Sequence, residues 1–199
     1  GFQIVRRIGA DEAIKCATLY LLDNQSKYHA KGVAYLKTAL QFFQWCYEHE
    51  IMVDWHTESR INASIAYDWL YNGMTDAERR SLILPLLDNI RKLQPGGGAT
   101  FTRCTGGPYD GNYGVNNLAW FAGLAAFGDG YDDKLAEELL QKAYRRNIEM
   151  MNYRDKVSGG TGLLSAATHG YSFGAYPYAT FHFLHCMESA TGKNLAAQW

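Results

Sequence analysis

The residues best suited to chemistry in this 199-residue chain gather around two glycine-rich stretches. The first, GGPYDGNYGVNNLAW over residues 106–120, brings Tyr109, Asp110, Asn112 and Tyr113 up to an asparagine pair, Asn116 and Asn117, at the start of an apolar helical run. A neutral amide donates hydrogen bonds without adding charge, so it can hold a ligand oxygen and leave the net charge of a site unchanged. Asparagine is also a favoured helix cap, which accounts for one of the pair and leaves the other, with its aromatic approach, as surplus. The second stretch, THGYSFGAYPY over 168–178, sets His169 and Tyr171 on a glycine-flanked loop, with Tyr176 and Tyr178 just beyond. A tyrosine of ordinary pKa, about 10, acts as a base at neutral pH only beside a cation or a hydrogen-bond donor. His169 and Tyr171 could form such a proton-handling pair, or the rings could pack an inner wall.

Two further groups carry titratable side chains. In HFLHC, His182 and His185 lie three apart on one helical face beside Cys186. A zinc site needs further ligands at recognisable spacing; there is no HExxH and no second cluster, so these read as core or partly exposed histidines and no metal is expected. In VDWHTESR, Asp54, Trp55, His56 and Glu58 approach a helix start, with Asp68 further along it. The run Asp54-Trp55-His56 could equally line a sugar groove. Glycosidases need two facing carboxyl groups, and Asp54, Glu58 and Asp110 are candidates with no defensible pairing from sequence.

The elements that must position these residues are helical nearly throughout. Apolar positions recur at spacings of three and four over residues 11–22, 27–49 and 57–72, the last marked by Ile61, Ile65, Trp69 and Leu70. Gly73 reads as the residue that stops the third helix. Thr75 to Glu78 reads as a capping box opening a fourth helix to about Leu93. Helices are expected again over 116–127, 132–153 and 172–191, the last kinked or started late at Pro177. Between them lie the long irregular stretches 95–112 and 155–170. Each enters the second helix of a hairpin, so in a ring of hairpins they would share one face. The expectation is an all-α single domain spanning residues 1–199, with no convincing strand.

Composition narrows the function classes. With 19 basic and 20 acidic residues the net charge is −1, which offers no basic stripe for nucleic acid. No apolar run approaches the roughly 20 residues of a membrane span. Fourteen tyrosines, nine phenylalanines and five tryptophans suit stacking on sugar rings and suit a tight core equally. Cys16, Cys46, Cys104 and Cys186 include no CxxC pair and do not look like a disulfide framework.

Taken together, the helical hairpins and the segments AYDWLYNGMTDAERR (66–80), NNLAWFAGLAAFGD (116–129) and GYSFGAYPY…HFLHCMESATGKNL (170–195) resemble the heparinase II/III-like polysaccharide lyases. The resemblance covers most of residues 55–195 through loose motifs. It implies an incomplete (α/α) toroid of antiparallel helical hairpins followed by a β-sandwich domain, and β-elimination on an acidic, uronic-acid-containing polysaccharide without a cofactor. In that chemistry donors hold the sugar carboxylate while charge develops on it, and a tyrosine takes the C5 proton and protonates the leaving oxygen. By resemblance Asn117, with Asn116 as the alternative, would neutralise the carboxylate. Tyr171, with Tyr176 as the alternative, would be the catalytic tyrosine, and His169 would support it. Tyr109, Tyr113, Asn116, Tyr176 and Trp55 would contact substrate. Leu118 stands where some relatives have a histidine, and SGGTGLLSAATHGY lacks a glutamate that relatives often carry. No β-domain is present before Trp199, so the chain is expected to be a piece of about half a lyase's helical domain, inactive alone and missing its β-domain partner. The family implies a periplasmic or secreted bacterial setting. The alternatives are a glycoside hydrolase for uronides on an (α/α) barrel, with Asp54 and Asp110 facing one groove, and a non-catalytic helical carbohydrate-binding scaffold.

Overall fold

The computed structural model describes residues 2–51, 53, 58–94, 115–158 and 181–198, with side chains described from residue 9 in the first helix and from residue 117 in the fifth. Among the described residues the fold is all-helical, without a strand. The elements are α1 (Phe2–Asp23), α2 (Ser26–Glu48), α3 (Glu58–Leu70), a 3-10 turn (Tyr71–Gly73), α4 (Asp76–Leu93), α5 (Val115–Ala126), α6 (Asp133–Ser158), α7 (Phe181–Thr191) and a last 3-10 turn (Ala196–Gln198). No helix of the described residues is long and apolar enough to cross a membrane.

Local chemistry sets the boundaries. α1 closes where Asn24 takes φ 50° and its N–H bonds the Tyr20 carbonyl at 2.7 Å, a left-handed position that asparagine tolerates. α4 opens on the expected capping box: the Glu78 N–H reaches Thr75 Oγ1 at 3.3 Å and the Thr75 N–H reaches Glu78 Oε2 at 2.8 Å. Between α5 and α6, Gly128 and Gly130 adopt φ 89° and 78°, and Asp133 Oδ1 accepts both their N–H groups at 3.0 and 3.1 Å.

Several expected boundaries move. α1 starts well before residue 11, at Phe2. α6 runs to Ser158, taking the first residues expected for the second long loop. Gly73 does not simply stop α3; it belongs to a 3-10 turn over which Arg79 is fixed, its guanidinium 3.8 Å from the Tyr71 ring centre and its Nε bonded to the Tyr71 carbonyl. α7 is described from Phe181, so residues 172–180 with Pro177 lie outside the described residues. Pro85 sits inside α4, where it forgoes one helical hydrogen bond.

The helices form antiparallel pairs whose odd members neighbour one another. α3 packs on α1 and on α5, while α2 packs on α4. Side-chain bonds give the directions. Asp11 meets Asn62 and a Cβ on Gly73 would lie 3.0 Å from the Tyr20 hydroxyl, so α1 runs with α3; Tyr67, near the end of α3, bonds Asp129 just past the end of α5, which runs the same way. Arg60 meets Asn89, so α4 runs against α3. Glycine allows the closest approaches: a Cβ on Gly32 of α2 would lie 2.8 Å from Leu70 Cδ1, and one on Gly123 of α5 would lie 2.6 Å from Leu140 Cγ. The core gathers Leu36, Phe43, Ile61, Tyr67, Leu86, Leu118 and Phe183 from five helices. Cys16 and Cys46 are buried and Cys186 is half-buried; Cys104 lies outside the described residues.

Candidate functional site

The odd-numbered helices enclose a cleft of about 580 Å³. α3 supplies its long wall: Glu58, Ile61, Asn62, Ile65, Asp68 and Trp69. These fall at helical spacings of three and four, one continuous stripe. α5 contributes Phe121, Leu124 and Ala125; α7 contributes His182, His185 and Cys186; α1 closes one corner with Ile14. An apolar floor with a few polar groups and an open aromatic is the usual make-up of a small-molecule site. Trp69 is 36% exposed and available for stacking. Asn62 is oriented by its bond to Asp11 Oδ1 at 2.9 Å, and His182 stands edge-on to Phe121, the ring centres 6.5 Å apart.

The walls alter the ionisation of these groups. Asp68 reaches solvent, yet the surrounding protein displaces enough of its hydration to raise its carboxyl above the ordinary carboxylate value, and the charge of Asp129 adds to this. Partial burial lowers the His182 imidazole, and the neighbouring His185 lowers it further. A carboxyl moved up and an imidazole moved down titrate closer together than usual, which suits proton exchange within a cleft. Burial raises the Cys186 thiol, and Asp68 reinforces the effect. The thiol therefore stays protonated at neutral pH and is a poor nucleophile.

Most of the sequence-expected site lies outside the described residues. His169, Tyr171, Tyr109, Tyr113, Tyr176 and Trp55, together with Asp54, His56 and Asp110, lie outside the described residues. Asn116 and Asn117 both fall within the first turn of α5, which begins at Val115, rather than preceding the helix as a cap. The Asn117 side chain is 1% exposed. It sits one turn before Phe121 on the same face of α5, so it continues the cleft's stripe toward the helix N-terminus.

Other residues gain importance. His182 and His185 are exposed and line the cleft rather than filling the core. Trp69, which shares the spacing of Ile61 and Ile65, lines open space. The signal that could have found the site is the interruption of the α3 apolar stripe by Glu58, Asn62 and Asp68. Glu58 and Asp68 cannot serve as a glycosidase pair. Ten residues separate them, about 15 Å along the axis, and both side chains tilt toward the helix N-terminus rather than converging. Catalytic pairs stand about 5–9.5 Å apart. Among the described residues no group of three or more histidines, cysteines or carboxylates is placed to hold a metal ion.

A second, smaller groove of about 370 Å³ lies between α2 and α4, with Lys37, Trp45, Glu48 and Pro85 among its walls. It lacks the converging titratable groups of the first. No protein-family model, no curated protein and no solved structure matches this chain.

Proposed function

We propose that the chain is part of an incomplete (α/α) toroid whose odd helices line a sugar-binding groove, and that the parent protein is a polysaccharide lyase acting by β-elimination on a uronic-acid polymer, outside the cytoplasm. The observation that carries this reading is the stripe Asn117–Phe121–Leu124–Ala125 on α5, which runs from a sequestered amide into the cleft. An amide shielded from water is where a hydrogen bond to a carboxylate has most effect on developing charge. Trp69 offers the stacking face. Tyr171 would take the C5 proton and His169 would assist it. The reading requires substrate entry to uncover Asn117.

The test follows the ultraviolet absorbance of a 4,5-unsaturated uronate while heparin, heparan sulfate, alginate and hyaluronan are offered to the full-length parent protein. The expected result is a rise with one polymer that Tyr171→Phe abolishes and Asn117→Ala reduces at least about 100-fold. New reducing ends without the absorbance would mean hydrolysis instead. Neither signal would leave the second reading, a non-catalytic helical carbohydrate-binding scaffold.

A further inference from the structure

We propose that the outer face of α2 is a contact through which two copies of this chain pair about a two-fold axis, the two α2 helices lying antiparallel. This stands apart from the sugar-binding reading: α2 lines no part of the described cleft, so pairing through it leaves that cleft open.

A self-complementary charge pattern carries the argument. Lys37, Gln41, Gln44 and Glu48 follow one another at helical spacings, so they form a single stripe within about 60° of arc. All four border the groove between α2 and α4. Lys37, Gln41 and Glu48 are exposed and Gln44 is half-buried. Lys37 and Glu48 stand equally far on either side of the Phe42–Phe43 peptide bond, and so do Gln41 and Gln44. In a two-fold contact, residue i of one copy meets residue j of the other, while j meets i. An axis passing beside the Phe42–Phe43 peptide therefore sets Lys37 of each copy against Glu48 of the other, and Gln41 of each against Gln44 of the other. Opposite charges meet at both ends of the contact, and amides meet between them.

The side chains are already arranged for this. Gln44 Nε2 donates to Glu48 Oε1 at 2.8 Å, which holds the carboxylate on the stripe. An ionised carboxylate accepts several donors, so an ammonium group can join that bond without breaking it. Trp45 borders the stripe and is 39% exposed. Its ring is held by its neighbours: the Phe42 ring centre is 6.2 Å away with the planes at 15°, and the His49 ring centre is 4.4 Å away at 26°. A ring fixed before binding loses little freedom on binding, and tryptophan is prominent among the residues that anchor interfaces. In the antiparallel arrangement the Trp45 rings of both copies fall on the same edge of the contact, where each shields the other from water. One helix face with the adjoining wall of α4 is a small contact, so the pairing is weak and depends on concentration.

Sedimentation equilibrium of the full chain at low salt, over a wide range of concentrations, tests this. The unaltered chain is expected to dimerise with a Kd in the micromolar range and to dissociate as salt is added. A charge reversal enters a two-fold contact twice, so K37E and E48K should each weaken pairing at least about tenfold. The double variant K37E/E48K restores opposite charges at both ends and should return to within about threefold of the unaltered chain. An equimolar mixture of K37E and E48K should pair more tightly than either variant alone, a rescue that misfolding of the single variants could not produce. Trp45→Ala should weaken pairing in either charge background. A chain that stays monomeric at every concentration would overturn the proposal and leave the groove to a sugar or to an unrelated protein. A dimer that neither reversal weakens, or that K37E/E48K fails to restore, would place the contact on another face and overturn it equally.

Discussion

At the scale of single residues, the carboxyls near the open end of α3 are under tension with the fold. Asp68 is held above its ordinary pKa by burial and by Asp129, so its ionised form is disfavoured in the folded state relative to the unfolded chain. The sign follows from linkage: the unfavourable contribution is fully present above the raised value. It is relieved as pH falls through that value, and is gone below the unfolded pKa of about 3.9. Asp68→Asn should therefore raise Tm at pH 7, and the gap to the parent should close as the pH is lowered toward about 4. A Tm at pH 7 equal to or below the parent's would contradict the account. Tyr67 makes the opposite kind of contribution. Its side chain is fully buried and its hydroxyl donates to Asp129 Oδ2 at 2.8 Å, joining α3 to the turn after α5. Tyr67→Phe should cost about 1–3 kcal/mol in urea unfolding, because a partly buried carboxylate loses a donor. Both residues sit in the stretch AYDWLYNGMTDAERR, which by itself gives no hint of this bond.

Single elements show what a one-dimensional pattern can and cannot reveal. The capping box of α4 was legible because its partners, Thr75 and Glu78, are three residues apart. Thr75→Ala should cost about 1 kcal/mol at neutral pH. The backbone N–H and hydroxyl of Thr75 hold the Glu78 carboxyl below its usual value, so the stabilisation stands above the unfolded pKa of about 4.3 and fades as pH falls through the lowered value. The difference between Thr75→Ala and the parent should shrink in acid, as thermal melts at pH 7 and pH 3 would read. A constant difference would mean that the Thr75 hydroxyl contributes only as the acceptor of the Glu78 N–H. Helix existence was legible for the same local reason, with misplacements where local signals conflict. Gly9 weakens the helical signal of α1, yet it lets α1 meet α2, since a Cβ there would be 3.1 Å from that of Ala39. The cleft was not legible in this way. Periodicity says that Ile61, Ile65 and Trp69 share a face of α3; it does not say that Phe121 and His182 leave open space opposite that face. His182 and His185, more than a hundred residues from α3 in sequence, looked like ordinary helix residues until α7 was placed beside it.

For the whole molecule, the question is whether the stacked pairs unfold together. Arrays of helical pairs draw stability from neighbouring interfaces, and long ones lose cooperativity. Here one buried polar junction ties three helices. Arg60 of α3 is 4% exposed. Its Nε donates to Asn89 Oδ1 of α4 at 2.7 Å, and its guanidinium lies 4.8 Å from the centre of the Phe43 ring of α2. Asn89, 2% exposed, in turn donates to the Phe43 carbonyl at 3.4 Å. A buried guanidinium is tolerated only where its donors are answered, so removing an acceptor costs more than an average hydrogen bond. Asn89→Ala should lower stability by about 2–4 kcal/mol. Asn89→Asp, which keeps the acceptor and adds a charge facing Arg60, should lose less. Because the junction joins α2, α3 and α4 at once, the loss should appear as a shift in the urea midpoint with the slope of the transition unchanged. A second transition or a fallen slope in Asn89→Ala would show α4 leaving the array by itself, and would place the cooperative unit in α1–α3 with α5 rather than in the stacked pairs as a whole.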